Sequence, residues 1–240
     1  MRVALVTVGD EILSGDTTNT NAAWLGQRLT DAGVSVERMT VVPDLVADIA
    51  RVVNEFHAEY DAVIVTGGLG PTPDDVTMDG VAAAFGTEVG PDEEVRRWLI
   101  EEGGYSNEDL APATTHIPER ARPLPNPEGV APGCVIENTH VLPGVPAEMK
   151  AMFELVDEKF TGDPAYVETV VTPEPESDLL DRIIAAQEEF DVTVGSYPGD
   201  NVRLKVQGPD RDQVEKAAAW LRERVETASL DGAPDDATDE

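Results

Sequence analysis

The stretch Ala62-Val63-Ile64-Val65-Thr66-Gly67-Gly68-Leu69-Gly70-Pro71-Thr72-Pro73-Asp74-Asp75-Val76-Thr77 decides how this chain folds. Four apolar residues in a row suit a strand buried on both faces of a parallel sheet. Closely spaced glycines end that strand, and a helix is predicted from Thr77 to Phe85. A strand that passes through glycines into a helix turns backbone N–H groups toward an anion, so a phosphate is expected here. The same glycines could do no more than make a tight turn. The spacing is not that of a P-loop, since no Gly-Lys-Ser/Thr follows, nor that of the G-x-G-x-x-G dinucleotide fingerprint.

Working outward from this loop, Val3 to Val8 is a second continuous apolar run, and Gly9 to Thr20 reads as a polar loop. Ala22, Leu25, Leu29 and Ala32 mark an amphipathic helix, with Asn19 or Thr20 as N-cap and Gly33 just past its end. Val34 to Val42 is a strand broken by Pro43-Asp44, and Leu45, Ile49, Val52 or Val53, and Phe56 form the stripe of the next helix. The order β-α-β-α-β predicts a mostly parallel sheet covered by helices, with ligands held beyond the carboxyl ends of its strands.

Further on, a helix is expected from Pro91 to Glu102 and an irregular segment over 103–132. Two short strands, Cys134 to Ile136 and His140 to Leu142, then lead to a helix ending near Phe160. Residues 166–227 read as a small α+β module: strand Tyr166 to Val171, helix Ser177 to Phe190, strands Val192 to Tyr197 and Val202 to Val206, helix Asp210 to Val225. Residues 228–240, acidic and poor in apolar side chains, read as a disordered tail.

Forty-eight acidic and 17 basic residues in 240 give a formal net charge of -31, spread along the whole chain. Such self-repulsion needs strong screening, which points to a cytoplasm of molar salt. The 41% of hydrophobic residues fall in regular periods, which excludes an unfolded acidic chain. Nucleic acid and anionic membranes would be repelled, and neither a signal peptide nor a membrane-spanning segment is expected. A single cysteine, Cys134, excludes an internal disulfide and reads as core. The expected setting is the cytoplasm.

The only lysines are Lys150, Lys159, Lys205 and Lys216. A phosphate in the first domain must therefore be held by backbone N–H groups, a helix N-terminus, an arginine or a metal ion. Asp74 and Asp75 could hold that metal or cap the helix near Thr77; adjacent side chains point apart, so one of each is expected, with Asp75 the better placed for function. Asp44 could reach the same crevice or cap the helix from Leu45. Asp10-Glu11 follows the first strand to the same sheet edge. Asn19 and Asn21 suit ribose or base edges, or helix capping. His57, His116 and His140 lack zinc-ligand spacing, and no G-x-S-x-G nucleophile elbow occurs.

The segments "VGDEILSGDTTNTNAAWL", "TGGLGPTPDDVT", "NPEGVAPG" and "LPGVPAEM", in this order, resemble the N-terminal part of the competence/damage-inducible protein A (CinA) family, of the molybdopterin-binding-domain superfamily. Residues 166–227 are similar to the small second domain of that family. The carboxy-terminal amidase domain of longer members is not expected here, nor is nicotinamide mononucleotide deamidation. The resemblance implies a three-layer α/β/α domain of molybdopterin-binding type over residues 1–163. It implies a metal-dependent pyrophosphatase acting on ADP-ribose, FAD or a related nucleotide diphosphate. The alternative is a module that binds molybdopterin or a nucleotide without hydrolysis.

By the same resemblance Asp75 and Asp44 match the family's two essential aspartates. Asp74 replaces the arginine of the adenylylating relatives, which speaks against molybdopterin adenylylation. The expected site has Asp75, Asp44 and Glu11 as catalytic carboxylates, the first two on a divalent ion (Mg, Mn or Co), with potassium as a further cofactor. Gly67, Gly68, Gly70, Thr72, Asp74 and Thr77 would line the phosphates. Asn19, Asn21, Pro143 and Gly144, the last two in the Pro143-Gly144-Val145-Pro146 turn, would shape the nucleotide pocket. Family analogy also suggests a homodimer.

Overall fold

The computed structural model describes residues 1–106, 110, 112–162 and 166–228, in two compact units, Met1–Gly162 and Asp163–Glu240. The first unit runs β1 (Arg2–Val8), α1 (Asp10–Ser14), α2 (Thr20–Asp31), β2 (Ser35–Val42), α3 (Val46–Glu59), β3 (Ala62–Thr66), α4 (Thr77–Ala84), β4 (Val89–Pro91), α5 (Glu93–Glu101), β5 (His116–Pro118), β6 (Arg122–Leu124), β7 (Gly133–Ile136), β8 (Thr139–Leu142) and α6 (Pro146–Glu154). The second runs β9 (Tyr166–Thr172), α7 (Glu176–Glu189), β10 (Thr193–Tyr197), β11 (Val202–Gly208) and α8 (Arg211–Arg222).

Six strands form one sheet in the order β2-β1-β3-β8-β7-β6. β2, β1, β3 and β8 are mutually parallel, and β7 is antiparallel to both of its neighbours. β1 and β3 are in register, Val3 opposite Ala62 through Thr7 opposite Thr66, so their carboxyl ends stop at the same level. The chain leaves β1 toward β2 and later returns past it to β3. Loops splay apart at such a switch point and leave a crevice.

Alternation along the strands sorts their side chains into two layers. Val3, Leu5, Ala62, Ile64 and Leu142 pack against Leu25 and Leu29 of α2 and Met149, Met152 and Phe153 of α6. Ala4, Val6, Val8, Val63, Val65 and Val141 pack against Ile49, Val52, Val53 and Phe56 of α3, Val81 of α4 and Leu99 of α5. Each fully buried aliphatic side chain contributes about 1.5–3 kcal/mol by leaving water, and both sheet faces are covered. The architecture is the expected three-layer α/β/α sandwich. Its chain ends against itself: the Gly162 N–H donates to the Ala32 carbonyl at 3.0 Å, and a Cβ on Gly162 would collide with the Gly33 carbonyl oxygen.

The second unit is a three-stranded antiparallel sheet, β10-β11-β9. Val170, Val194, Leu204 and Val206 pack against Leu179 and Ile183 of α7 and Val214, Ala218 and Leu221 of α8.

Several expectations need correction. Gly9 to Thr20 contains α1, a single helical stretch with acids in its first turn and no buried residue, so it leaves no apolar period to read. The irregular segment contains β5 and β6, three residues each and both carrying proline. The helix expected to reach Phe160 stops at Glu154, and a 3-10 turn, Asp157–Lys159, comes after it. Ala228, placed at the head of the tail, donates its N–H to the Val171 carbonyl at 3.0 Å; the expected disorder of 229–240 falls outside the described residues.

Candidate functional site

Four parallel strands deliver their loops to one edge of the large sheet: Gly9-Asp10-Glu11 after β1, Pro43-Asp44 after β2, Gly67-Gly68 after β3 and Pro143-Gly144 after β8. The turn after β3 can be made only by glycine. Gly67 has φ +99° and Gly68 φ +62°, and a Cβ on Gly67 would collide with the Val8 carbonyl oxygen. The Gly67 N–H donates to Leu142 at 3.2 Å and the Gly68 carbonyl accepts from the Thr77 N–H at 3.2 Å, which ties the turn to β8 and to the start of α4.

Asp44 Oδ2 accepts from the Asp10 N–H at 2.9 Å, which joins the loops after β1 and β2. Burial, followed by the nearby carboxylates Asp10, Glu11 and Asp74, raises the Asp44 carboxyl above its ordinary range. A group in that situation favours an arriving positive charge. The open choice for Asp44 is settled against capping, because the N-cap of α3 is Leu45 and no side chain caps that helix.

Asp74 and Asp75 do not cap α4 either, whose N-cap is Val76 without a side-chain bond. Asp75 instead folds back on its own loop: Oδ2 accepts from the Thr72 N–H at 3.0 Å and from the Thr72 hydroxyl at 2.5 Å. A Cβ on Gly70 would stand 2.5 Å from the same oxygen. The expectation that one of the two aspartates caps the helix is therefore wrong; the loop closes on Asp75, and the helix starts uncapped. Asp74 is exposed on the outer turn.

Glu11 is also exposed, with its carboxylate over Gly9. Asn19 is the N-cap of α2, its Oδ1 accepting from the Ala22 N–H at 3.0 Å and its Nδ2 donating to Thr7 Oγ1 at 3.0 Å. Asn21 donates to the Gly144 carbonyl at 2.7 Å, so the Pro143-Gly144 turn is latched to α2, and its Oδ1 is buried without a partner. Thr77 is 0% exposed, and its Oγ1 likewise has no partner. The site thus brings together Asp44, Gly67, Gly68, Thr77, Asn19, Asn21 and Gly144, while Asp75, Thr72 and Gly70 form an adjoining closed loop.

Thr7 and Thr66 are site residues that the sequence reading passes over. They are buried, directly opposite each other at the ends of β1 and β3, and the Thr66 hydroxyl donates to Thr7 Oγ1 at 3.5 Å. Their signal is legible in the chain: one polar residue near the end of each of two apolar strands, just ahead of Gly9 and Gly67.

Among the described residues no three His, Cys, Asp or Glu side chains come together as a metal-binding group. His140 and Cys134 are buried in β8 and β7, and the Cys134 thiol lies 3.8 Å from Met78 Sδ in the first turn of α4. Burial pushes the Cys134 thiol up to about 12. No helix among the described residues is long and apolar enough to cross a membrane.

Comparison with known proteins agrees with this architecture. Residues 4–161 match the family described as "Probable molybdopterin binding domain", and residues 164–233 match "FAD synthase, middle domain". A protein of Archaeoglobus fulgidus is 39% identical over 225 residues, covering 93% of this chain and 97% of that protein. A CinA-like protein of Frankia casuarinae is 36% identical over 255 residues, covering 95% of this chain and 59% of that protein's length. The crystal structure of a CinA protein of unknown function from Thermoplasma acidophilum superposes with a TM-score of 0.61 at 37% identity, covering 66% of this chain and 97% of that one. The chain belongs to the CinA family, with a molybdopterin-binding-type α/β domain followed by a module of the FAD synthase middle-domain type.

Proposed function

We propose that this protein hydrolyses the diphosphate of ADP-ribose, FAD or a similar nucleotide with the help of a divalent ion. The observation that carries this reading is the meeting, at one sheet edge, of a glycine turn at the start of an uncapped helix with Asp44, a carboxyl that lies among acids and pairs with no cation among the described residues. The turn suits phosphate oxygens. Asp44 supplies the hard oxygen that magnesium, manganese or cobalt prefers.

The residues present fit such an ion, because magnesium is held by one or two protein oxygens and the substrate's own phosphates, not by a full protein cage. When bound, it would neutralise charge on the phosphates and activate water. The N–H groups of Gly68, Leu69 and Gly70 would orient the diphosphate, and Asn21 with the Pro143-Gly144 turn would border the nucleoside. Asp75 would hold the loop shut on Thr72. Glu11, exposed above Gly9, would accept a proton from the attacking water. In the reaction the water oxygen bonds to one phosphorus, the P–O bond of the bridge breaks, and two monophosphates leave.

The test is product analysis by chromatography with ADP-ribose, FAD, NAD and ATP, in molar KCl and with magnesium, manganese or cobalt. Metal-dependent AMP release that is lost in Asp44→Asn is expected. Silence across the panel from folded protein would replace this reading with pterin binding, to which the family description points. The molar salt belongs to the proposal, as the setting in which a charge of -31 is screened.

A further inference from the structure

We infer that the Thr77 hydroxyl and the Asp44 carboxylate form a two-oxygen seat for the divalent ion, and that Asp75 shapes the loop without touching that ion. The inference rests on the diphosphate reading only for the groups that complete the ion's coordination.

Thr77 is 0% exposed, and its hydroxyl has no hydrogen-bond partner. Leaving such a group unpaired is costly, because it has given up water without a replacement bond. Its backbone N–H is bound to the Gly68 carbonyl at 3.2 Å, so the residue is fixed against the glycine turn. A Cβ on Gly68 would collide with Thr77 Oγ1 and stand 3.3 Å from Asp44 Oδ1. Both oxygens therefore lie on the same side of the turn, and glycine at 68 keeps the space between them clear.

The two aspartates differ in which oxygen is left free. Asp44 uses Oδ2 to accept from the Asp10 N–H, and its Oδ1 faces Gly68. Asp75 has its Oδ2 engaged twice by Thr72 and packed under Gly70. A hydroxyl beside a carboxylate is a chemically sufficient protein contribution for magnesium, which keeps several waters and takes phosphate oxygens for the rest. P-loop enzymes hold their magnesium with the same pair of groups.

The test uses the full chain in molar KCl with Mn2+ as a spin probe, titrated with and without a non-hydrolysable methylene analogue of ADP-ribose. Thr77→Val keeps the shape and removes the oxygen; it should weaken Mn2+ binding about tenfold or more, and Thr77→Ser should restore it. Thr77→Cys should exchange preference for Mg2+ for preference for Cd2+, a switch that Asp75→Cys does not produce. Unchanged Mn2+ affinity in Thr77→Val, the switch appearing at position 75 instead, or no Mn2+ binding by the wild-type chain in either condition would each overturn the inference. Turnover without any dependence of Mn2+ affinity on Thr77 would remove the seat and leave the hydrolase. A Thr77-dependent Mn2+ site without turnover would keep the seat and remove the hydrolase.

Discussion

Asp44 in the first unit and Glu174 in the second are both partly shielded carboxyls, and their surroundings are opposite. Glu174 is gripped by Arg182 through two bonds, Nη1 to Oε1 at 3.1 Å and Nη2 to Oε2 at 2.5 Å, and accepts the Glu226 N–H at 2.6 Å. The Arg182 side chain, followed by that N–H, holds it below the usual carboxylate range. Asp44 has one backbone N–H and three neighbouring acids, and is held up. In a chain this acidic, one acid is neutralised by its own scaffold, while the other waits for a charge that arrives. The difference separates a carboxyl that stabilises from one that binds.

The largest effect should come from Asp44→Asn. Turnover should fall at least about 1,000-fold, roughly 4 kcal/mol of barrier, while the melting temperature at neutral pH holds or rises. The sign follows from its raised pKa: the protonated form suits the folded site, so Asp44 supports the fold at low pH and loses that contribution as pH rises through its folded pKa. An amide imitates the protonated form at every pH. A clear drop in melting temperature would break the comparison.

Gly67→Ala asks how much the site costs the scaffold. Its positive φ and the Val8 carbonyl leave no room for a methyl group, and about 3 kcal/mol of stability should be lost, read by urea denaturation. Wild-type stability would mean that the turn rearranges freely.

His140 sharpens the contrast further, as a base buried without a partner on either ring nitrogen. Burial, followed by Lys159, lowers its pKa to about 4. The folded protein keeps it neutral while the unfolded chain protonates at the ordinary value. Stability should therefore be full above about pH 6.5 and fall as pH drops toward 4, by roughly 3 kcal/mol in all. Melting curves of His140→Leu should lack that slope.

The smallest effect belongs to Glu174→Gln. Because the Glu174 pKa is lowered, its contribution is present above the ordinary glutamate pKa and is lost as pH falls. The variant should melt slightly below wild type at neutral pH, converge with it in acid, and bind Mn2+ unchanged. Weakened Mn2+ binding would erase the distinction between the two carboxyls.

Much of the fold can be read from the chain, because long elements carry long periods. Leu25 and Leu29 announce α2, Asn19 announces its cap, and the glycines after Ala62 to Thr66 mark the switch point. The features that escape are short or depend on the fold. α1 buries nothing, and β5 and β6 are too brief for a period to form. The candidate aspartates can be located along the chain but their roles cannot. The side chain of Asp75 turns to a residue three positions away, whereas Asp44 meets Asp10 across 34. Thr77 looks like an ordinary helix start, and only the tertiary position of Gly68 shows its hydroxyl stranded beside Asp44.

The last residue of the first unit, Gly162, is locked by a hydrogen bond to Ala32 and by contact with the Gly33 carbonyl. That lock makes the end of the α/β domain a clean splice point. A recombination event or a gene fusion that joined a different module after Gly162 would inherit a first domain whose final residue is already fastened. Both partners in that fastening, Ala32 and Gly33, belong to the first unit itself.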